Sequence, residues 1–367
     1  MLPLFSASFI LTLVFLYKFL NFLPFFVNIL NWIGLFIVYL CSSWILAKLI
    51  HNYISSKLLG PLPTTGKAVL ITGCDSGFGH GAALQLNKSG FRVFAGCLFP
   101  DGKGAKSLKS SASNRDKIHI IKLDVTKDED IETTVNLISE HLNKSGETLW
   151  GIVNNAGVGR VGKIEWGSFD NHFRQLFDVN VFGVVKVTRA MLPLLRSSSG
   201  RVVTISSINS NMTFPNTGAY SMTKAALTPF QDALRAEIEK FGVKVISIEP
   251  SFSSTPIIDQ KSVDKLYSDL YDNSPKEIKE IYYEDKMMEN LRQLLAIPCR
   301  YLSPEATYDK VINNIVKSLT DYEPSYCMPA TPPVMSFVYT IYPSFPPELK
   351  NLIGKILMRL SRSLNLD

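Results

Sequence analysis

The chain has 367 residues, enough for one large α/β domain with appendages. Apolar residues make up 46% and charged ones 19%, a balance that leans toward membrane contact, while a net charge of +6 with no Lys/Arg block points away from nucleic acid. Cysteines at 41, 74, 97, 299 and 327 form no CxxC or Cys/His cluster, which argues against a zinc site or a disulfide framework and suits a cytosol-facing domain.

Leu2 to Tyr17 carries no charge, nor does Phe22 to Ala47. The second stretch is long enough to cross a bilayer and the first is short for a span, so residues 1–50 are expected to form a membrane anchor. No Lys or Arg precedes Lys18 and the first Arg is Arg92, which disfavours a cleaved signal or a mitochondrial transit peptide. A linker over 51–66 ends in "GPLPTTG". Short apolar runs suited to buried parallel strands then follow at 67–72, 91–97, 117–125, 149–157, 200–207 and 242–250. Helical stretches between them, among them 128–144 and roughly 168–195, predict a doubly wound, Rossmann-type parallel sheet spanning 67–330. Residues 255–300 are charged and irregular, as a lid over a pocket would be. Residues 304–319 read as a helix and 324–330 as a last strand. The tail, 331–367, either lies in a membrane interface through a Leu349–Leu360 apolar stripe or packs on the domain.

The first turn, "TGCDSGFGHG", puts Gly73, Gly77 and Gly79 between a strand and a helix, where backbone amides receive a pyrophosphate, with Asp75, Ser76 and Phe78 beside them. Asp124, followed by Val125, is a candidate acceptor for an adenine amino group, or else a helix cap or a solvated turn. "NNAG", Asn154, Asn155, Ala156 and Gly157, ends the fourth strand in a turn that lets a cofactor approach. Asn180 sits on an apolar face with Phe173, Leu176, Phe177 and Val184, either as a satisfied core amide or as an amide that holds a water in a proton path. "GAYSMTKAAL" sets Tyr220 and Lys224 one helical turn apart. The same spacing recurs at Tyr53/Lys57 and Tyr282/Lys286, but only the 220/224 pair follows a strand of the sheet, with Ser207 thirteen residues upstream. Ser207, Tyr220 and Lys224 are thus expected to converge for acid–base chemistry coupled to hydride transfer, with Lys224 lowering the phenol's pKa.

These motifs, in this order over roughly residues 64–256, resemble the short-chain dehydrogenase/reductase family. The wording of "LWGIVNNAG", "LPLLRSSSGRVVTISS" and "GAYSMTKAAL" is similar to the type 2 11β- and 17β-hydroxysteroid dehydrogenases, with retinol and D-β-hydroxybutyrate dehydrogenases close by. The resemblance implies a catalytic tetrad of Asn180, Ser207, Tyr220 and Lys224, and cofactor contacts that include Pro250 and Thr255. It also implies an endoplasmic-reticulum enzyme acting on a lipophilic alcohol, a hydroxysteroid first and a retinoid or other apolar alcohol second, with a homodimer possible. A non-catalytic nucleotide-binding scaffold is the rival. Ser251 stands where the family has Gly, and the loop after Ser207 lacks the family's glycines. The expected cofactor is NAD rather than NADP, because no Arg follows the second strand; entry of a cation from elsewhere, such as Lys103, is what would reverse this.

Overall fold

The computed structural model describes residues 2–22, 24–54, 60–251, 260–282 and 304–363. It divides into two compact units, Met1–Pro61 and Leu62–Asp367. Thr255, Cys299, the lid positions 255–259 and 283–300 and the last four residues lie outside the described residues.

The first unit is two helices, α1 (Leu2–Asn21) and α2 (Pro24–Ile54). Within α2, Asn28–Ala47 is a 20-residue apolar stretch of mean hydropathy 1.9 with none of it buried, the one helix among the described residues long and apolar enough to cross a membrane. The corresponding stretch of α1, Phe9–Asn21, is shorter. α2 runs on to Ile54, past the expected start of the linker at residue 51, and after Gly34 it meets no Gly or Pro that would stop it.

The second unit is built on seven parallel strands in the order β3-β2-β1-β4-β5-β6-β7. They are β1 (Lys67–Thr72), β2 (Arg92–Cys97), β3 (Ile118–Lys122), β4 (Thr148–Asn154), β5 (Arg201–Ile205), β6 (Lys244–Pro250) and β7 (Cys327–Ala330). Side chains alternate between faces along a strand, so each of these runs must bury both. Val69 and Ile71 join the core under α3 (Gly77–Lys88) and α4 (Lys103–Ser111), while Ala68 and Leu70 join the core under α5 (Asp128–Ser145) and α6 (Val184–Ser198). α7 (Gly218–Ile238) adds Leu234 and Ile238 to that second core. α8 (Gln260–Asp272) and α9 (Lys276–Ile281) occupy the described part of the expected lid, and Tyr267 and Leu270 of α8 pack on Trp166.

α10 (Pro304–Thr320) returns to the sheet and buries Val311, Ile312, Ile315 and Leu319 in the first core. The last carbonyls of a helix lack intrahelical partners. Here they are met from the sheet. The buried Arg201 guanidinium donates to the carbonyls of Ser318 and Asp321, the Trp150 indole to that of Leu319 at 2.8 Å, and the Leu62 amide to that of Thr320 at 2.7 Å. Arg201 and Lys67 both lie over the Trp150 ring, 5.1 and 3.7 Å from its centroid. The tail forms α11 (Pro333–Ile341) and α12 (Pro347–Ser363). Tyr339 and Tyr342 bury themselves with Ile208 and Met212, in the segment after Ser207, and Ile353 packs at the edge of this cluster. Leu349, Leu352 and Ile356 stay exposed.

Candidate active site

In an open parallel sheet the crevice forms at the carboxyl ends of the strands, where the order reverses. That point lies between β1 and β4, whose outgoing connections run to opposite sides. One cavity opens there. It is lined by Gly73, Asp75, Ser76, Gly77 and Phe78 after β1, by Asp124 and Val125 after β3, by Asn155, Ala156 and Gly157 after β4, by Ser207 after β5, by Tyr220 and Lys224 of α7, and by Pro250 and Ser251 at the end of β6.

The turn after β1 is shaped to take a group against its backbone. Gly73 and Gly77 have φ of 69° and 59°, in the left-handed region. A Cβ at Gly73 would stand 2.8 Å from Ala156 Cα, which a side chain cannot do. Ser76 is the N-cap of α3 and makes no capping bond with its side chain, so the free first-turn amides present partial positive charge at the cavity wall. This cradle fits a dinucleotide pyrophosphate. Gly79 does not line the cavity. A Cβ there would collide with Asn155 Nδ2 and the Gly73 carbonyl, so its role is to let α3 approach.

Thr72, which sequence reasoning passed over, ties β1 to the β4 turn. Its Oγ1 accepts from the Asn155 amide at 3.0 Å and the Ala156 amide at 2.9 Å. Asn155 Nδ2 returns to the carbonyls of Thr72 and Gly73. Asn154 is buried and donates to Thr188 Oγ1 at 2.8 Å, away from the cavity, so this member of the NNAG motif anchors β4 to α6 and touches no ligand space. Asp124 lies two residues beyond β3 and closes its own turn: Oδ1 accepts from the amide and hydroxyl of Thr126 at 2.9 and 2.8 Å. It also lines the cavity, which is compatible with an adenine contact, whereas the N-cap of α5 is Lys127, so Asp124 closes a turn and does not cap the helix. Asp75 accepts from the amides of Leu98 and Phe99 at 2.8 and 2.9 Å, which fixes a carboxylate where β2 ends.

The segment before α6 is helical with two widened, i→i+5 stretches, Asp170–Arg174 and Asp178–Gly183. Widened turns change which residues face inward. His172, Leu176, Asn180 and Val184 are buried and Phe173 and Phe177 half-buried, so the face drawn from a regular helical period holds at Leu176, Asn180 and Val184 and gains His172. Asn180 Oδ1 accepts from the Val158 amide at 2.9 Å, and Nδ2 donates to the Val158 carbonyl at 2.9 Å and Thr223 Oγ1 at 3.1 Å. The amide is satisfied within the fold and is not a cavity-lining residue. It pins the loop after β4 to α7, because Thr223 also donates to the Tyr220 carbonyl at 2.7 Å.

Ser207, Tyr220 and Lys224 do meet. Ser207 lines the cavity with Tyr220, and its hydroxyl draws the phenol's pKa down. Its Oγ also accepts from the Asn209 amide at 3.2 Å, which fixes its direction. Lys224 is buried, donates from Nζ to the Ile205 carbonyl at 2.9 Å, and lies 5.7 Å from the Tyr220 ring centroid. Burial pushes the Tyr220 phenol up to about 12, against the pull of the Ser207 hydroxyl, and burial pulls Lys224 down to about 8. The net shift of the phenol is upward because burial outweighs the Ser207 hydroxyl. Ser251, where a glycine was expected, ties the strand end through its amide and hydroxyl to the Ala330 carbonyl, both at 3.3 Å.

The model of the family described as short chain dehydrogenase matches residues 67–265. The chain belongs to the short chain dehydrogenase family. It is 37% identical over 327 residues to estradiol 17-beta-dehydrogenase 2 of Mus musculus, covering 84% of this chain and 83% of the relative. It is 37% identical to retinol dehydrogenase 16 of Rattus norvegicus, covering 71% and 78%. It is 36% identical to the mitochondrial D-beta-hydroxybutyrate dehydrogenase of Mus musculus, covering 71% and 75%. The fold is similar to that of a short-chain dehydrogenase from Streptomyces avermitilis, with a TM-score of 0.55, 23% identity, and coverage of 82% of this chain and 99% of that one. As a member of this family the protein is a nicotinamide-dependent oxidoreductase acting on alcohols and ketones.

Proposed function

We propose that the protein is a membrane-anchored, NAD-preferring dehydrogenase of lipophilic alcohols, with a hydroxysteroid as the leading substrate and a retinoid next. The observation that carries the reading is that Ser207, Tyr220 and Lys224 open onto the same cavity as the glycine-rich turn after β1. A nicotinamide bound there supplies the hydride acceptor for oxidation or the donor for reduction. Ser207, aimed by Asn209, orients the substrate oxygen. Tyr220 takes or gives the proton on that oxygen. Lys224, held against the Ile205 carbonyl, stabilises the phenolate and bonds the cofactor ribose. Asn180 is a positioning residue that holds the Val158 loop and the start of α7 together.

The substrate end supports a lipophilic ligand. Val158, Val161, Ile208 and Leu266 line the same cavity as Tyr220. The steroid and retinoid readings draw on the relatives named above. The NAD preference rests on Asp75, whose carboxylate at the end of β2 repels an adenosine 2′-phosphate. Neither Lys103 nor any Arg from the end of β2 reaches the cavity wall. The apolar span of α2 supports anchoring in a membrane, with the endoplasmic reticulum the proposed compartment and the cytosol the side the basic residues favour.

The test is turnover of a steroid and retinoid panel by membranes carrying the protein, with NAD and with NADP. Oxidation of at least one member with higher kcat/KM for NAD is expected, and loss of at least about 10²-fold in kcat for Tyr220→Phe with NADH binding retained. Higher kcat/KM with NADP overturns the cofactor preference. Nucleotide binding with no turnover of any alcohol favours the scaffold.

A further inference from the structure

The geometry points to Tyr308 as a positioning residue that holds the glycine-rich turn in the shape that receives the dinucleotide's pyrophosphate. Tyr308 sits on α10, beyond residues 67–265 that match the family model, and touches the turn from behind. Three contacts define it. Its hydroxyl donates to the Gly77 carbonyl at 3.1 Å. Its ring stacks on Phe78, with centroids 5.5 Å apart and planes at 28°. The space for that hydroxyl exists because residue 81 is glycine: a Cβ there would overlap the Tyr308 oxygen and stand 3.1 Å from Ile312 Cδ1.

The effect on the turn follows from the planarity of the peptide unit. In a trans peptide the carbonyl and the next amide point in opposite directions. Fixing the Gly77 carbonyl against Tyr308 therefore fixes the Phe78 N–H away from it, and Phe78 is a wall of the cavity. Gly77 has φ of 59°, a conformation that needs holding because a glycine samples many others. The platform is rigid. Val311, Ile312, Ile315 and Leu319 bury the same helix in the sheet core, and the Arg201–Trp150 clamp holds its far end. Burial and then the neighbouring Asp309 raise the Tyr308 pKa, so the group remains an O–H donor.

The inference rests on the reading of the cavity as a nicotinamide-dinucleotide site. Tyr308→Phe keeps the ring and removes the donor. NADH binding, read by its fluorescence on the full chain in detergent, is expected to weaken by roughly threefold to tenfold, the range of one hydrogen bond. Adenosine, which has no pyrophosphate, is expected to bind the variant as it binds the wild type, and kcat at saturating cofactor to be unchanged. Gly81→Ala leaves Tyr308 in place but puts a methyl where its hydroxyl sits, and is expected to reproduce the loss. Unchanged NADH affinity in Tyr308→Phe, or an equal weakening of adenosine, overturns the inference while the site reading stands. Failure of the wild type to bind NADH overturns both.

Discussion

A phenol held near 12 and an ammonium held near 8 in one buried site share a proton inventory rather than titrating singly. Removing one proton from the pair yields either neutral lysine with phenol or ammonium with phenolate. Only the second can accept the proton of an alcohol. The pair loses its first proton near pH 8, where Lys224 titrates, and the active form grows with that step. For alcohol oxidation, kcat/KM is expected to rise with pH to a plateau with its midpoint near 8. Lys224→Met removes the cation that makes phenolate accessible, so the step is expected to move above the ordinary phenol value of about 10. A pH profile of the variant that keeps the wild-type midpoint would assign the step to another group. The chemistry-bearing residues were legible in the sequence because Tyr220, Lys224 and Ser207 lie at fixed distances from strand ends. Their partners were not. Thr72, Thr223 and Asn209 act through bonds to segments remote in sequence or through turn geometry, and no local pattern marks them.

At the scale of elements, the strands were legible because each needs two apolar faces, and six of them stand within a few residues of where the apolar runs put them. α4 was not legible, since among its nine residues only Ala105 and Leu108 are buried, too few to show a period. The widened turns before α6 escaped for the opposite reason: a clear apolar period was present, and it does not register the change of pitch. The α10 clamp also escaped, because an Arg at the start of a buried strand reads as a misfit until the helix end above it is seen. Arg201→Met keeps the length of the side chain and strips the Ser318 and Asp321 carbonyls of their donor. The expected cost is roughly 2–4 kcal/mol in unfolding free energy, read as a lower denaturant midpoint. A change within about 0.5 kcal/mol would show that water replaces the guanidinium at no loss.

A second cluster sits away from the cavity. Arg92 pairs with Glu147, whose carboxylate also meets His141 Nε2 at 3.2 Å, while His119 Nε2 lies 2.9 Å from Arg92. The two imidazoles are 5.1 Å apart beside Phe94. Burial, then the charges of Arg92 and His141, lower the His119 pKa below its ordinary 6.5. A lowered histidine means that the folded state binds its proton less tightly than the unfolded chain does. Its contribution is thus fully present above about 6.5 and is lost as pH falls below it. The melting temperature is expected to drop on acidification from that point, and His119→Phe to flatten the upper part of the drop. An identical pH dependence in the variant would clear His119 of the effect.

The two units of the whole molecule pose one shared question, the side of the membrane on which the catalytic unit lies. Lys48, Lys57 and Lys67 follow the apolar part of α2, while Lys18 alone stands between the two uncharged N-terminal stretches. Positive residues favour the cytoplasmic side, so the unit beginning at Leu62 is expected in the cytosol, where thiols remain reduced. The chain carries its own reporters of the opposite outcome in three N-x-S/T sequons, at Asn87, Asn143 and Asn211. They are not equivalent. Asn87 is fully buried and exchanges bonds with Asn114, donating from Nδ2 to its carbonyl at 2.9 Å and accepting at Oδ1 from its amide at 2.8 Å. A glycan there is incompatible with the folded unit, so its absence reports nothing. Asn143, near the end of α5, and Asn211, after the segment that carries Ser207, are exposed and able to carry one. Expressed with microsomes, the full chain is expected to run at the same mass before and after glycosidase, and protease added outside the vesicles is expected to digest the catalytic unit. A glycosidase-sensitive shift that Asn143→Gln and Asn211→Gln together abolish would put the unit in the lumen and overturn the cytosolic orientation.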